Sequence, residues 1–191
     1  METNDFTKLR KVYELVKDFM PTHPYHGHEH AKDVFYAANR LSKIEGVSRE
    51  ERLILQTAAL LHDIVFFKGA NDNEEKSAEF ATPYLRQYSY SQCQINRVNE
   101  LILATKLPTN PKNLLENIIC DADLDILGRK DFFEKNNEYR KELGAENDLT
   151  WCSTQLRFLR NHKYYTCSAQ ELRGEGLKNN TRRIEKMLRG A

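Results

Sequence analysis

The chain has no apolar run long enough to span a bilayer, and no signal-peptide core follows its charged, polar N-terminus. It also lacks a Cys-x-x-Cys pair. Its four cysteines, Cys93, Cys120, Cys152 and Cys167, are scattered and fit neither a zinc knuckle nor a disulfide framework. These absences lead to the expectation of a reduced, soluble, cytoplasmic protein. No segment alternates apolar and polar residues over a strand's length, so no sheet is expected. Repeats, low-complexity tracts and Gly-Ser linkers are missing too. Neither sign of charge dominates, since 29 Lys+Arg stand against 28 Asp+Glu, a net charge of +1. That balance gives no pull toward a nucleic-acid polymer or a membrane. It is uneven along the chain, because residues 151–191 hold nine Lys/Arg and three Asp/Glu. The basic end reads either as an attractor for an anionic substrate or as a solvated helix face.

What is present is helical spacing along a chain of 191 residues, long enough for one domain with a full core. Phe6, Leu9, Val12, Tyr13, Val16 and Phe19 form a first stripe that stops before Pro21. A second helix runs from about Glu29 to Ile44. Ser48 to Glu51 fits a capping box for a third, which is apolar nearly all round from Thr57 to Phe67 and therefore central. Lys68 to Asn73 reads as a loop, and a helix with Ser77, Ala78, Phe80 and Ala81 follows. Ser91 to Gln94 resembles a cap ahead of Ile95, Val98 and Leu101. Leu107 to Pro111 breaks the chain before a helix leading to Asp123. Later helices are expected over Phe132 to Leu143, over Leu149 to Leu159, and after a capping box at Ser168 to Glu171. The expected fold is all-α, a single helical domain over 1–191 with eight or nine helices. Its core would span about 25–127, and 149–191 would form a basic helical region.

Chemistry concentrates in three places. His30 lies in Pro24-Tyr25-His26-Gly27-His28-Glu29-His30, His62-Asp63 ends the apolar third helix, and Asp123 lies in Asp121-Ala122-Asp123-Leu124-Asp125. Buried charge is costly unless it is paired or binds metal. Two imidazoles and two carboxylates suit a borderline divalent ion and leave room for water and substrate oxygens. Such an ion would lower the pKa of a bound water and polarise a phosphoryl oxygen. Asp63 could also orient the attacking water. Among the three acids Asp123 is chosen, because it lies four from Ile119 and from Leu127. Asp121 and Asp125 are placed on a wetter face. Taken singly, a His on an apolar helix is usually a satisfied core residue and an Asp near a helix end a cap.

The ordered set His30, His62-Asp63, Asp123 resembles the HD-domain phosphohydrolase superfamily, an all-α, metal-dependent fold. Ala59 to Val65, Asn73 to Ala78, Ile102 to Lys106 and Asp121 to Gly128 look like a small branch of predicted phosphohydrolases. Pro24 to Val34 is similar to the first metal motif of class I cyclic-nucleotide phosphodiesterases. That resemblance implies His30 as a ligand and His26 as the acid that protonates the leaving oxygen, a role suited to histidine. Two departures matter. Phe66 and Phe67 stand where a second-metal His is expected after the doublet, and Leu107-Pro108 follow Thr105-Lys106 where another often stands.

The expectation is therefore one divalent ion per chain (Mn, Mg, Fe, Co, Ni or Zn) held by His30, His62, Asp63 and Asp123. The function expected is metal-dependent hydrolysis of a phosphate ester of a small metabolite or nucleotide, with a monoester favoured. The alternatives are a nucleotide-sensing regulatory domain without turnover, or a cyclic-nucleotide phosphodiesterase. Glu74 reads as a general base or as a first-turn Glu of its helix. Lys106 reads as a substrate-phosphate contact or as a cation at a helix C-terminus. His23 and His28 are expected in a loop or at the surface, His162 solvated or near a helix end, and Trp151 in the core. Tyr164, Tyr165, Arg182 and Arg183 are candidates to cover the pocket. A homo-oligomer is allowed.

Overall fold

The computed structural model describes residues 2–20 and 22–190, with side chains from residue 5 onward. Nine α-helices and one 3-10 turn account for the regular structure of the described residues, without a strand. They are α1 (Glu2–Phe19), α2 (His28–Ile44), α3 (Arg49–Leu61), α4 (Asn73–Gln87), α5 (Gln92–Ala104), α6 (Leu114–Asp123), the 3-10 turn Asp125–Gly128, α7 (Phe132–Glu142), α8 (Leu149–Asn161) and α9 (Cys167–Arg189). The expected stop at Pro21 lies outside the described residues.

Helix α3 is the hub. Leu53, Ile54, Leu55, Thr57 and Ala58 through Leu61 are all buried, and α1, α2, α4, α5 and α6 pack around it. Its N-terminus is set by Ser48, whose hydroxyl accepts from the Glu51 N–H at 3.3 Å. The helix ends at Leu61, six residues short of the apolar run. The cause is an alternative set of partners for the backbone beyond it. The Phe67 N–H donates to Asn73 Oδ1 at 2.9 Å, and Asn73 Nδ2 donates to the Phe67 carbonyl at 3.1 Å. Ser77 Oγ accepts from the Val65 N–H at 3.1 Å and donates to its carbonyl at 3.2 Å. Buried polar side chains from α4 thus replace helical hydrogen bonds over Val65–Phe67.

The first stripe is also narrower than expected. Val12, Leu15 and Val16 are buried, while Phe6 and Phe19 are 70% and 52% exposed. At Ser91 the expected cap is a full capping box with Gln94.

Two apolar clusters result. The larger joins α1 to α6 with the start of α9. The smaller gathers Leu127, Phe132, Leu156, Leu159 and Ile184 from the 3-10 turn, α7, α8 and the far end of α9. Helix α9 bridges the two. Its start is Thr166 rather than the expected Ser168, because Thr166 Oγ1 both accepts from the Ala169 N–H and donates to Asp121. Farther along, Gly176 crosses the 3-10 turn so closely that a Cβ there would lie 1.9 Å from the Gly128 carbonyl oxygen.

Candidate metal centre and its cavity

The end of α3 brings His62 against α2 and α6. His62 Nδ1–H donates to the Ala59 carbonyl at 3.0 Å, which leaves Nε2 for the centre. His62 Nε2 lies 3.1 Å from Asp63 Oδ2, 3.3 Å from Asp123 Oδ1 and 3.3 Å from His30 Nε2. His30 Nε2 lies 3.2 Å from Asp123 Oδ1 and 3.7 Å from Asp63 Oδ2. Donors bound to one ion at about 2.0–2.2 Å and at right angles sit about 3 Å apart. His30 Nε2, His62 Nε2 and Asp123 Oδ1 have that spacing and form a three-residue group able to hold an ion, while Asp63 Oδ2 approaches the two histidines from outside that group. Two neutral imidazoles and two carboxylates also carry a formal charge that a divalent cation cancels. The donor set thus fits a divalent ion.

The same crowding perturbs the ionisable groups. Burial alone would lower the His62 pKa, but Asp63 and Asp123 outweigh it and raise it well above its ordinary value. Burial works against ionised Asp63 and Asp123, and His62 reverses it in both, with help from His30 at Asp123.

The three acids at the end of α6 serve three purposes, and the helical argument that separated them fails on two. Asp121 is fully buried, not wet. It accepts from the Tyr165 N–H at 2.8 Å, the Thr166 N–H at 2.8 Å and the Thr166 hydroxyl at 2.7 Å. Asp125 is buried as well, between Arg40 at 3.0 Å and Arg173 at 2.8 Å. Asp123 alone turns toward the two histidines. The helix ends at this residue, so the side chains beyond it leave the spacing the argument assumed.

A cavity of about 320 Å³ opens beside the centre. Tyr25, His26, His30, Asp63, Glu74 and Asp123 line one side. His26 Nδ1 hydrogen-bonds Glu142 Oε1, while Glu142 Oε2 accepts the backbone N–H groups of Tyr25 at 2.8 Å and His26 at 2.9 Å. Phe66 stacks on the His26 ring with centroids 3.9 Å apart. Burial opposes the charge on Glu142, but its His26 contact holds the carboxyl below its ordinary value. At Glu74, burial and then Asp63 push the carboxyl up. Burial also raises Tyr25 well above its usual range.

The other side comes from α7 and α8, through Phe132, Asn136, Tyr139, Thr154, Gln155 and Phe158. Among the described residues no Lys or Arg lines this cavity, but an adjoining pocket that shares Tyr25, His30 and Asp123 with it is lined by Arg129 and Lys135. Lys106 pairs with Glu75. The basic C-terminal region contributes neutral side chains instead. Tyr164 is buried, with its hydroxyl donating to the Leu124 carbonyl at 3.2 Å, and Arg183 lies over the Phe133 ring. Trp151 is buried and packs 5.8 Å from Tyr139, centroid to centroid. His162 lies at the C-terminal end of α8 as one of the two expectations had it, but it is half-buried rather than solvated: its Nε2 is buried without a partner among the described residues, and its ring meets Tyr164 edge-on.

The structure thus gathers His30, His62, Asp63, Asp123, His26 and Glu74, and leaves Lys106 outside the lining. Sequence reasoning missed Glu142, Gln155 and Tyr139. Glu142 lies 116 positions from His26, and no spacing rule links them.

Comparison with known families agrees with this geometry. The HD domain model matches residues 27–125, more than half of the chain. The chain belongs to the HD domain family, whose members are generally metal-dependent hydrolases that bind divalent ions. Among solved structures it is similar to that of Bacillus subtilis YpgQ in complex with ADP. The TM-score is 0.72 at 19% identity, and the match covers 96% of each chain, a likeness of fold. No curated protein matches the sequence. Among the described residues, no helix is long and apolar enough to cross a membrane.

Proposed function

We propose that this protein hydrolyses a phosphate ester of a small metabolite or nucleotide, with one divalent ion held by His30, His62, Asp63 and Asp123. The observation that carries this reading is the four-donor cluster opening directly onto a cavity that also presents the His26–Glu142 pair. A divalent ion held by these residues would supply positive charge for a phosphoryl oxygen and a water of lowered pKa. The His62 tautomer is fixed by Ala59, which turns Nε2 toward Asp63, Asp123 and His30. Asp63 closes the cluster and orients the attacking water.

His26 is the acid in this reading. Its Nδ1–H is committed to Glu142, so Nε2 carries the transferable proton to the leaving oxygen. Phe66 stacking and the two backbone contacts of Glu142 keep the ring in place. Glu74, with its raised pKa, is positioned to exchange protons with water near Asp63. Lys106 is left out because Glu75 occupies it. A monoester fits best, since Phe66 occupies the position after the doublet where a second-metal ligand would stand. The ADP bound by YpgQ supports a nucleotide among the candidates.

A panel of phosphorylated metabolites and nucleotides, supplemented in turn with Mn, Mg, Fe, Co, Ni and Zn, tests the proposal. Phosphate release is expected from at least one member. His62→Ala should lose metal retention and activity together. Glu142→Gln should retain metal and slow turnover by about 10²-fold, with a changed pH profile. Saturable nucleotide binding without release of phosphate from any member would make the protein a sensor instead.

A further inference from the structure

Helix α1 turns Val12, Leu15 and Val16 into the core but leaves Phe6 and Phe19, near its two ends, open to water. Phe19 does not stand alone. Its ring lies 5.6 Å from Phe80 and 5.8 Å from Tyr84, centroid to centroid, and Tyr88 continues that stripe of α4. Phe19, Tyr84 and Tyr88 form the aromatic part of an open groove of about 540 Å³ between α1 and the end of α4. Exposed aromatic surface of this kind is stabilised when a partner covers it. The α1 rim of the groove carries charge in a fixed order, Arg10 and Lys11 first, Glu14 and Asp18 after them. Arg10 and Asp18 form no ion pair among the described residues. Lys11 lies 5.6 Å over the Tyr88 ring, and Glu14 has an exposed contact with Lys17 at 3.9 Å.

We propose that a second copy of this chain docks in the groove, with the two α1 helices antiparallel about a twofold axis near Val12 and Tyr13. A twofold axis pairs a surface with itself, so that surface must be self-complementary. The order of charge meets the condition. Lys11 of each copy faces Glu14 of the other, and Arg10 reaches Glu14 and Asp18 there. Parallel helices would set like charges together. The same contact covers the aromatic rings beside the rim. The mixture of signs argues against an anionic partner surface. A nucleic-acid backbone or an acidic bilayer would be repelled by Glu14 and Asp18 as it is drawn by Arg10 and Lys11. The pairing is independent of the hydrolase reading, since no residue lining the groove lines the cavity beside the metal centre.

Sedimentation velocity of the full chain over about 1–100 µM tests the pairing. The mass should rise to that of two chains. Reversing the basic half of the rim, Arg10→Glu with Lys11→Glu, should raise the dissociation constant at least about 100-fold. Reversing the acidic half, Glu14→Lys with Asp18→Lys, should do the same. Mixed together, the two variants should pair again, because one rim is then wholly acidic and the other wholly basic. That rescue separates lost pairing from lost folding. Where a double reversal fails to fold, Lys11→Glu and Glu14→Lys, made singly and then mixed, replace it. A wild-type chain that stays monomeric up to about 100 µM would leave the groove to a different partner and overturn the proposal. So would a folded variant that keeps the wild-type dissociation constant, or a mixture of folded variants that stays monomeric.

Discussion

Two glycines in α9, two residues apart, should respond to the same substitution with opposite signs. Gly176 crosses the 3-10 turn, where an added Cβ would sit 1.9 Å from the Gly128 oxygen and 2.8 Å from its carbonyl carbon. Real Cβ contacts stay beyond 3.0 Å, so helix and turn must part by at least 1.1 Å, the difference between 3.0 and 1.9. Both opposing groups are backbone and cannot swing aside. Overpacking of this kind costs about 1–3 kcal/mol, partly offset by the roughly 1 kcal/mol that alanine gains over glycine within a helix. Gly174 has nothing within 4 Å of the same added atom. There only the propensity gain remains, up to about 1 kcal/mol of stabilisation. Urea midpoints of Gly176→Ala and Gly174→Ala should therefore move in opposite directions from wild type. Gly176→Ala should also weaken metal retention, because Gly128 ends the turn that follows Asp123. Midpoints that move together, or a Gly176→Ala protein as stable as wild type, would refute the close-crossing argument.

The acids of α6 should separate in the same way. Asp121→Ala strips the Tyr165 and Thr166 donors of their acceptor and should cost about 2–4 kcal/mol in urea, while the folded protein loses far less metal than Asp123→Ala does. Asp123→Ala should lower metal retention at least about ten-fold by elemental analysis, with little effect on the fold. The reverse pattern would overturn the assignment of Asp123. Burial pushes His162 down to about 4 from 6.5. The unfolded chain binds the extra proton between those values. The stability His162 contributes is thus whole above pH 6.5 and is lost as pH falls toward 4, by about 3 kcal/mol at most. His162→Phe should flatten this part of the pH dependence, and unfolding midpoints at pH 7.5 and pH 5 with equal slopes for both proteins would count against it.

Helix periodicity carried the fold into view, since α5 buries the whole stripe its apolar spacing marks and α2, α4 and α6 bury most of theirs, with Phe35 and Phe80 partly buried and Leu114 exposed. The residue types of the cluster and their order were legible for the same local reason, as His62 and Asp63 are adjacent in the chain. Residues whose surroundings come from distant segments were not. Asp121 looks like a surface acid until Thr166 is brought against it, and Glu142 looks like any charge in a polar helix until His26 arrives. The early end of α3 was hidden because its cause, Asn73 and Ser77, lies in another helix. The apolar run alone favoured continuing.

The alternation at Asp121, Asp123 and Asp125 has a thermodynamic consequence. Asp123 faces the metal centre, while its neighbours two residues to either side are held by the entrance to α9 and by Arg173 within α9. The position of one ligand therefore depends on whether the C-terminal helix is seated. By linkage, an ion that prefers the seated arrangement must stabilise that seating by the same free energy. Metal affinity then becomes a gauge of an interface on the opposite side of the backbone. Under the proposed ligand set, changes in α9 that never touch the cavity would register in how tightly the ion is held.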